Sequence, residues 1–190
     1  MIIELNKGFS LLEVLIAVFV LALGVIGAAG LQLAAIRTSQ QSGFQTLAVQ
    51  LANEFADKMR SNDAQMKLSD TANLFLKVNY NSALDPVPTT PALCYSSSAN
   101  CSATDLAKAD IYEWLIRVKD VLPGGRVLVC RDSAPYDNTQ KSLTWNCTAD
   151  TNAGLMVKIG WRSKNPDGSI NDTTGVIPPS VAIAVESYVK

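Results

Sequence analysis

Glu13 is the residue whose type and position most clearly call for a chemical role. The eighteen residues from Val14 to Leu31 that follow it carry no charged or strongly polar side chain. At 1.5 Å of rise per residue, a helix over 9–36 is long enough to cross a bilayer. A carboxylate at membrane depth costs about 2.5–3.5 kcal/mol on insertion scales, so it needs a partner or a use. Insertion of such a helix does not require Glu13, which makes this residue the first candidate for function.

The rest of the sequence argues against catalysis. The chain contains no histidine, which removes histidine-based triads and histidine metal sites. No glycine-rich phosphate loop occurs at the junction of a strand and a helix. The formal net charge of −1 provides no basic field for nucleic acid. We therefore expect no catalytic residues, no cofactor and no direct binding of nucleic acid, and a membrane-tethered enzyme is the least favoured alternative.

One loop has the oxygen donors of a weak calcium candidate. Within residues 165–172, such donors recur at Asp167, Ser169, Asn171 and Asp172, a pattern typical of calcium loops. The bidentate glutamate of an EF-hand is missing, and Asp167-Gly168 between two strand patterns is a strong turn signal by itself. The sequence favours the turn and leaves calcium as the alternative.

Two helices are predicted, and the first of them carries Glu13. The first continues beyond Arg37 as an amphipathic segment and ends near 61–63. Its apolar stripe has spacings of three and four and is predicted to be core packing; it comprises Phe44, Leu47, Leu51, Phe55 and Met59. The second helix is predicted over 104–121, with Thr104 as its cap and a Pro-Gly-Gly stop at 123–125.

The C-terminal half is predicted to form strands. They cover residues 125–131, 142–148, 155–163 and 181–189, and in the third Val157 and Ile159 alternate with Lys158. Residues 64–102 show no regular pattern, and the proline-rich stretch 84–91 predicts an irregular connection. The fold class is therefore α+β: a long N-terminal helix packed on an antiparallel sheet of about four strands, with one additional helix.

Three interpretations of the N-terminus compete: a cleaved secretory signal, a plain anchor, and an anchor that is kept after cleavage at the basic-glycine junction. The apolar stretch is longer than the 7–15 residues of a secretory signal, and a plain anchor leaves Glu13 unexplained. Residues 8–17, Gly-Phe-Ser-Leu-Leu-Glu-Val-Leu-Ile-Ala, resemble the class III signal of type IV prepilins and pseudopilins. The resemblance favours the third interpretation and implies the type IV pilin fold.

The same resemblance assigns roles to individual residues. It implies that a prepilin peptidase cuts between Gly8 and Phe9 and methylates the new amine of Phe9. It also implies that Glu13 neutralises the terminal amine of a neighbouring subunit, which sets the stagger of subunits in a fibre. The implied organisation is a leader over 1–8, a membrane-spanning and fibre-core half-helix over 9–36, an amphipathic half-helix over 37–62 and a periplasmic globular domain over 63–190.

The four cysteines form an even set in a segment that this topology places outside the cytoplasm, which favours two disulfides. Three pairings are possible. We favour Cys94–Cys101 and Cys130–Cys147, because each links close neighbours across a loop or between adjacent strands. A four-thiolate zinc site is the alternative, but no Cys-x-x-Cys pair is present.

Further stretches resemble minor pilins of the PilV type. They are 22–32 in the apolar helix, 109–114, 121–125 and 157–161. This resemblance implies a subunit that resides in the inner membrane, enters the surface pilus, and joins other minor pilins in a complex that primes type IV pilus assembly at or near the tip. The implied partners are the other minor pilins, the major pilin, the peptidase and the inner-membrane assembly platform, with a tip adhesin as a further candidate. The implied role supports adhesion and twitching motility. The alternative is a minor pseudopilin of a type II secretion system.

Overall fold

The computed structural model describes residues 8, 10–95, 100–148, 150–162 and 177–185. Helix α1 spans Leu11–Ser61 and crosses the boundary between two compact units, residues 1–40 and 41–190. The later helices are α2 (Asp63–Met66), a short 3₁₀ helix (Phe75–Lys77) and α3 (Ala103–Val121). The strands are β1 (Asn79–Asn81), β2 (Arg126–Arg131), β3 (Tyr136–Asp137), β4 (Ser142–Leu143), β5 (Leu155–Gly160) and β6 (Val181–Val185).

The first unit contains the apolar segment, residues 11–36. All of its side chains are exposed, and the exposed fraction reaches 85% at Leu11 and 75% at Leu31. Helix α1 is long and apolar enough to cross a membrane, and its most apolar 18-residue window has a mean hydropathy of 2.8.

In the second unit, the C-terminal part of α1 supplies one side of the core. Leu51, Phe55 and Met59 are buried as the periodicity predicts, whereas Leu47 is 37% exposed and Phe44 only half-buried. The sequence analysis missed the small residues of this face, because alanines add little to an apolar pattern. They are fully buried and allow close packing: Ala48, Ala52 and Ala56.

Helix α3 packs on α1 through aromatic side chains. Trp114 stacks on Phe55 with ring centroids 4.0 Å apart, and its indole N–H donates to the Leu51 carbonyl at 2.9 Å. The sequence analysis was wrong about the cap. Ser102, not Thr104, is the N-cap, and it exchanges hydrogen bonds with Asp105 in a capping box. The helix ends at Val121, and three residues later Gly124 takes a φ of 58°, a conformation that favours glycine.

The main sheet is antiparallel, with the order β1-β2-β5-β6. It confirms the predicted four-stranded sheet but differs in membership. The stretch predicted as a strand over 142–148 contributes only β4, which pairs with β3 outside this sheet. The edge position is taken by β1, which lies in residues 64–102, where the sequence shows no regular pattern. Three residues are too short for alternation to be recognised.

Candidate assembly site

The N-terminal site begins where α1 starts. Gly8 is exposed, and the Ser10 carbonyl accepts hydrogen bonds from the backbone N–H groups of Glu13 at 3.0 Å and Val14 at 3.3 Å. These bonds fix the first turn of the helix and place Glu13 within it. Phe9, predicted to be the first residue after cleavage and the methylated one, lies outside the described residues.

Glu13 is exposed, and none of the ion pairs within the described part of the chain involves it. Its position in the first turn is favourable, because the positive end of the helix dipole lies there. That field is weak compared with the cost of a carboxylate at membrane depth. The arrangement suits a carboxylate whose cation comes from another molecule.

The two disulfides lie in the globular unit. Cys94 is bonded to Cys101 and Cys130 to Cys147, the pairs that the sequence analysis favours. The first closes a loop directly before α3. The second joins β2 to the end of residues 132–148, which we call the cover segment.

The cover segment lies on the face of the sheet opposite α1, and a buried charge holds it there. Lys158 alternates with Val157 and Ile159 as predicted, yet it is 0% exposed. Its ammonium donates to Asp132 at 2.5 Å and to the backbone carbonyls of Thr144 and Asn146. An ion pair with every donor satisfied fixes the geometry of a segment that has little regular structure.

Trp145 completes the cover. A Cβ on Gly160 would lie 2.9 Å from the Trp145 ring, so glycine is required for this approach. The Trp145 indole N–H donates to the Ile177 carbonyl, and the Arg126 guanidinium lies 4.3 Å from the ring centroid. Sequence reasoning missed this cluster. The one feature of the sequence that could have indicated it is Trp145, a tryptophan that lies between Cys130 and Cys147.

The weak calcium candidate of the sequence analysis is not placed. Asp167, Ser169, Asn171 and Asp172 all lie outside the described residues. The turn and the calcium site therefore both remain predictions from the sequence.

Comparison with known families bears on this N-terminus and on the segment that follows it. Residues 5–29 match a family model described as a prokaryotic N-terminal methylation motif, and residues 30–112 match one described as Type IV pilin Tt1218. Searches of curated proteins and of solved structures gave no match. The two matches are contiguous, cover the whole of α1 and continue through β1 into α3. Residues 5–29 therefore carry an N-terminal methylation motif, and residues 30–112 are similar to a family of type IV pilins, which are structural subunits.

Proposed function

We propose that this chain is a minor pilin that joins other minor pilins to prime type IV pilus assembly, at or near the tip of the fibre. The observation that carries the proposal is Glu13, a carboxylate without an ion-pair partner among the described residues, placed at the start of an exposed apolar helix directly after the cleavage motif. The matches to the methylation motif and to the type IV pilin family support processing by the prepilin peptidase and assembly into a pilus. The resemblance to PilV-type minor pilins supports the finer role.

Cleavage between Gly8 and Phe9 would leave a charged amine four residues before Glu13. That separation is about one helical turn. In a low-dielectric layer, a carboxylate and an ammonium attract each other far more strongly than in water. Pairing between Glu13 of one subunit and the Phe9 amine of another would satisfy both charges and set the axial stagger between the two helices.

The globular unit is the part of the chain that the fibre would display on its surface. Its two disulfides suit an oxidising compartment, in keeping with residence in the inner membrane and a periplasmic domain before assembly. The major pilin, the assembly platform and an adhesin at the tip are the further partners that this role requires. Adhesion and twitching motility would follow from the pilus rather than from chemistry of this chain.

Mass spectrometry of sheared surface fibres tests the proposal. We expect a peptide that begins at N-methylated Phe9, in amounts far below those of the major pilin. If the processed peptide occurs only in the membrane fraction, the chain acts below the surface, and the type II secretion pseudopilin becomes the better assignment. An intact residue 1–8 leader in every fraction would contradict processing altogether.

A further inference from the structure

An open groove of about 590 Å³ lies in the globular unit between strand β1, helix α3 and the proline-rich segment 85–91. Its volume falls in the range of about 300–1,000 Å³ that is typical of ligand sites. It is separate from the N-terminal assembly site and from the cover segment. Its walls are mostly apolar, with Val78, Ile111 and Leu115 among them.

One wall of the groove is the free edge of the main sheet. The Val129 N–H donates to the Val78 carbonyl, and the Ser82 N–H donates to the Gly125 carbonyl. Because hydrogen-bonded and non-hydrogen-bonded pairs alternate in an antiparallel ladder, Asn79 occupies a non-hydrogen-bonded pair. Its backbone N–H and carbonyl therefore point away from β2. Strand β1 ends the four-stranded sheet, and such an edge is a template for a further strand.

The chain itself turns back towards this edge, but in its described residues it does not pair with the edge as a further strand. After β1, the N–H groups of Leu84 and Asp85 donate to the Asn81 carbonyl, which turns the chain back. Residues of the segment 85–91 then line the groove as well. It carries prolines at 86, 88 and 91, which have no N–H to donate to a ladder.

Tyr80 adds a polar group that has no acceptor. It lines the groove, is only 6% exposed, and its hydroxyl has no hydrogen-bond partner among the described residues. Burying a hydroxyl without a hydrogen-bond partner lowers stability by about 1–3 kcal/mol, so each case calls for an explanation. Burial, and to a smaller extent the charge of Asp85, raise the pKa of Tyr80 above its ordinary value. The hydroxyl therefore stays protonated and able to donate.

The charges around the groove select the partner. Two exposed lysines, Lys77 and Lys108, line the groove, and Lys108 also lies 3.6 Å from the exposed carboxylate of Asp105. The carboxylate of Asp85 accepts the Asn81 N–H at 2.6 Å. We propose that the groove binds an extended, acidic peptide segment of a partner polypeptide, which adds to β1 as a fifth strand. The Asn79 backbone would pair with this segment, the Tyr80 hydroxyl would donate to one of its carbonyls, and the lysines would attract its carboxylates. This proposal does not depend on the role of the chain in the pilus.

Titration of the ¹⁵N-labelled full chain in detergent micelles with a synthetic peptide tests this. The probe is a ten-residue peptide in which valine alternates with threonine and two central threonines are replaced by glutamate. We expect saturable shifts of the Asn79 and Tyr80 amides and slower hydrogen exchange at Asn79. Two control peptides have lysines in place of the glutamates, or the same side chains on an N-methylated backbone. Equal binding of either control would overturn the proposal, as would shifts at these amides caused by detergent alone.

Three variants assign the contacts. Tyr80→Phe keeps the ring and removes the unpartnered hydroxyl, so the free protein should be at least as stable as the wild type while peptide binding weakens about two- to tenfold. Lys77→Ala and Lys108→Ala should each weaken binding about two- to fivefold. Lys119→Ala, on α3 but not lining the groove, should leave binding unchanged. A Tyr80→Phe variant that binds normally, or that loses stability, would contradict the assigned role of the hydroxyl.

Discussion

Glu13 and Lys158 are both charged residues in apolar surroundings, and they differ in where their partners are. Lys158 is completely buried and finds Asp132 and two carbonyls within the chain. Glu13 stands at the start of an apolar helix whose first 33 residues, 11–43, are all exposed, and no ion pair in the described part of the chain involves it. The first charge has its site built by folding, and we infer that the second has its site built by assembly.

The comparison extends to the apolar residues around each charge. In α1, Phe55 and Met59 are fully buried, while Phe19 and Leu21 of the same helix are 63% and 67% exposed. Hydropathy alone does not separate these two groups. What separates them is whether this chain supplies the covering surface, and a large uncovered apolar surface marks contact with a membrane or another subunit. Mutations should therefore fall into two classes: those that change folding and those that change only assembly.

The largest effect on folding is expected from Asp132→Ala. This change leaves the Lys158 ammonium buried without its carboxylate, which costs about 3–5 kcal/mol. Urea unfolding of the full chain in detergent micelles, followed by tryptophan fluorescence, gives the free energy of unfolding. The matched control is Asp132→Ala combined with Lys158→Met, which removes both charges and should recover most of the loss. A double variant that is no more stable than Asp132→Ala would show that the pair is not the reason for the loss.

The second effect comes from the disulfide that ties the cover segment to β2. The combined change Cys130→Ser and Cys147→Ser opens a loop with a sequence separation of 17 residues, worth about 3 kcal/mol in the chain-entropy model. Cys94→Ser with Cys101→Ser opens a separation of 7 residues and should cost less, about 2.5 kcal/mol. The same urea unfolding compares the two pairs. Equal or reversed losses would indicate that strain or residual structure, rather than loop length, sets their contributions.

The sequence predicted the features that depend on local pattern. The class, both long helices, the favoured cysteine pairs and the cores of β2, β5 and β6 all agree with the structure. It failed where a tertiary contact decides the outcome. Lys158 carries a charge that would ordinarily be solvated, and only the approach of Asp132 makes its burial possible. Strand β1 exists because β2 offers a partner, since its three residues have no pattern of their own.

A smaller effect, with a defined pH dependence, is expected from the capping box of α3. The hydrogen bonds from Ser102 lower the pKa of Asp105 below its ordinary value. Because the pKa in the folded state is depressed, this contribution to stability is present above the unfolded value of about 3.9 and is lost as the pH falls through the folded value. Ser102→Ala should cost about 1 kcal/mol at neutral pH and flatten the acid limb of the stability profile. Measuring the free energy of unfolding of the wild type and of Ser102→Ala between pH 2.5 and 7 gives both the loss at neutral pH and its pH dependence. If the two curves run parallel over this range, the hydrogen bonds from Ser102 do not link the ionisation of Asp105 to stability.

The smallest effect on folding, and the decisive one for assembly, is expected from Glu13→Ala. The carboxylate has no ion pair in the described part of the chain, so the free energy of unfolding of the globular unit should not change measurably. Incorporation into surface fibres should fall strongly, because a partner amine would be left in a low-dielectric layer without its counter-charge. Quantitative mass spectrometry of sheared fibres and membranes separates incorporation from cleavage, which should continue at Gly8. Glu13→Asp, which keeps the charge on a shorter side chain, should retain more incorporation than Glu13→Gln, which keeps the size. If Glu13→Gln assembles as well as Glu13→Asp, shape rather than charge governs this position, and the contrast with Lys158 does not hold.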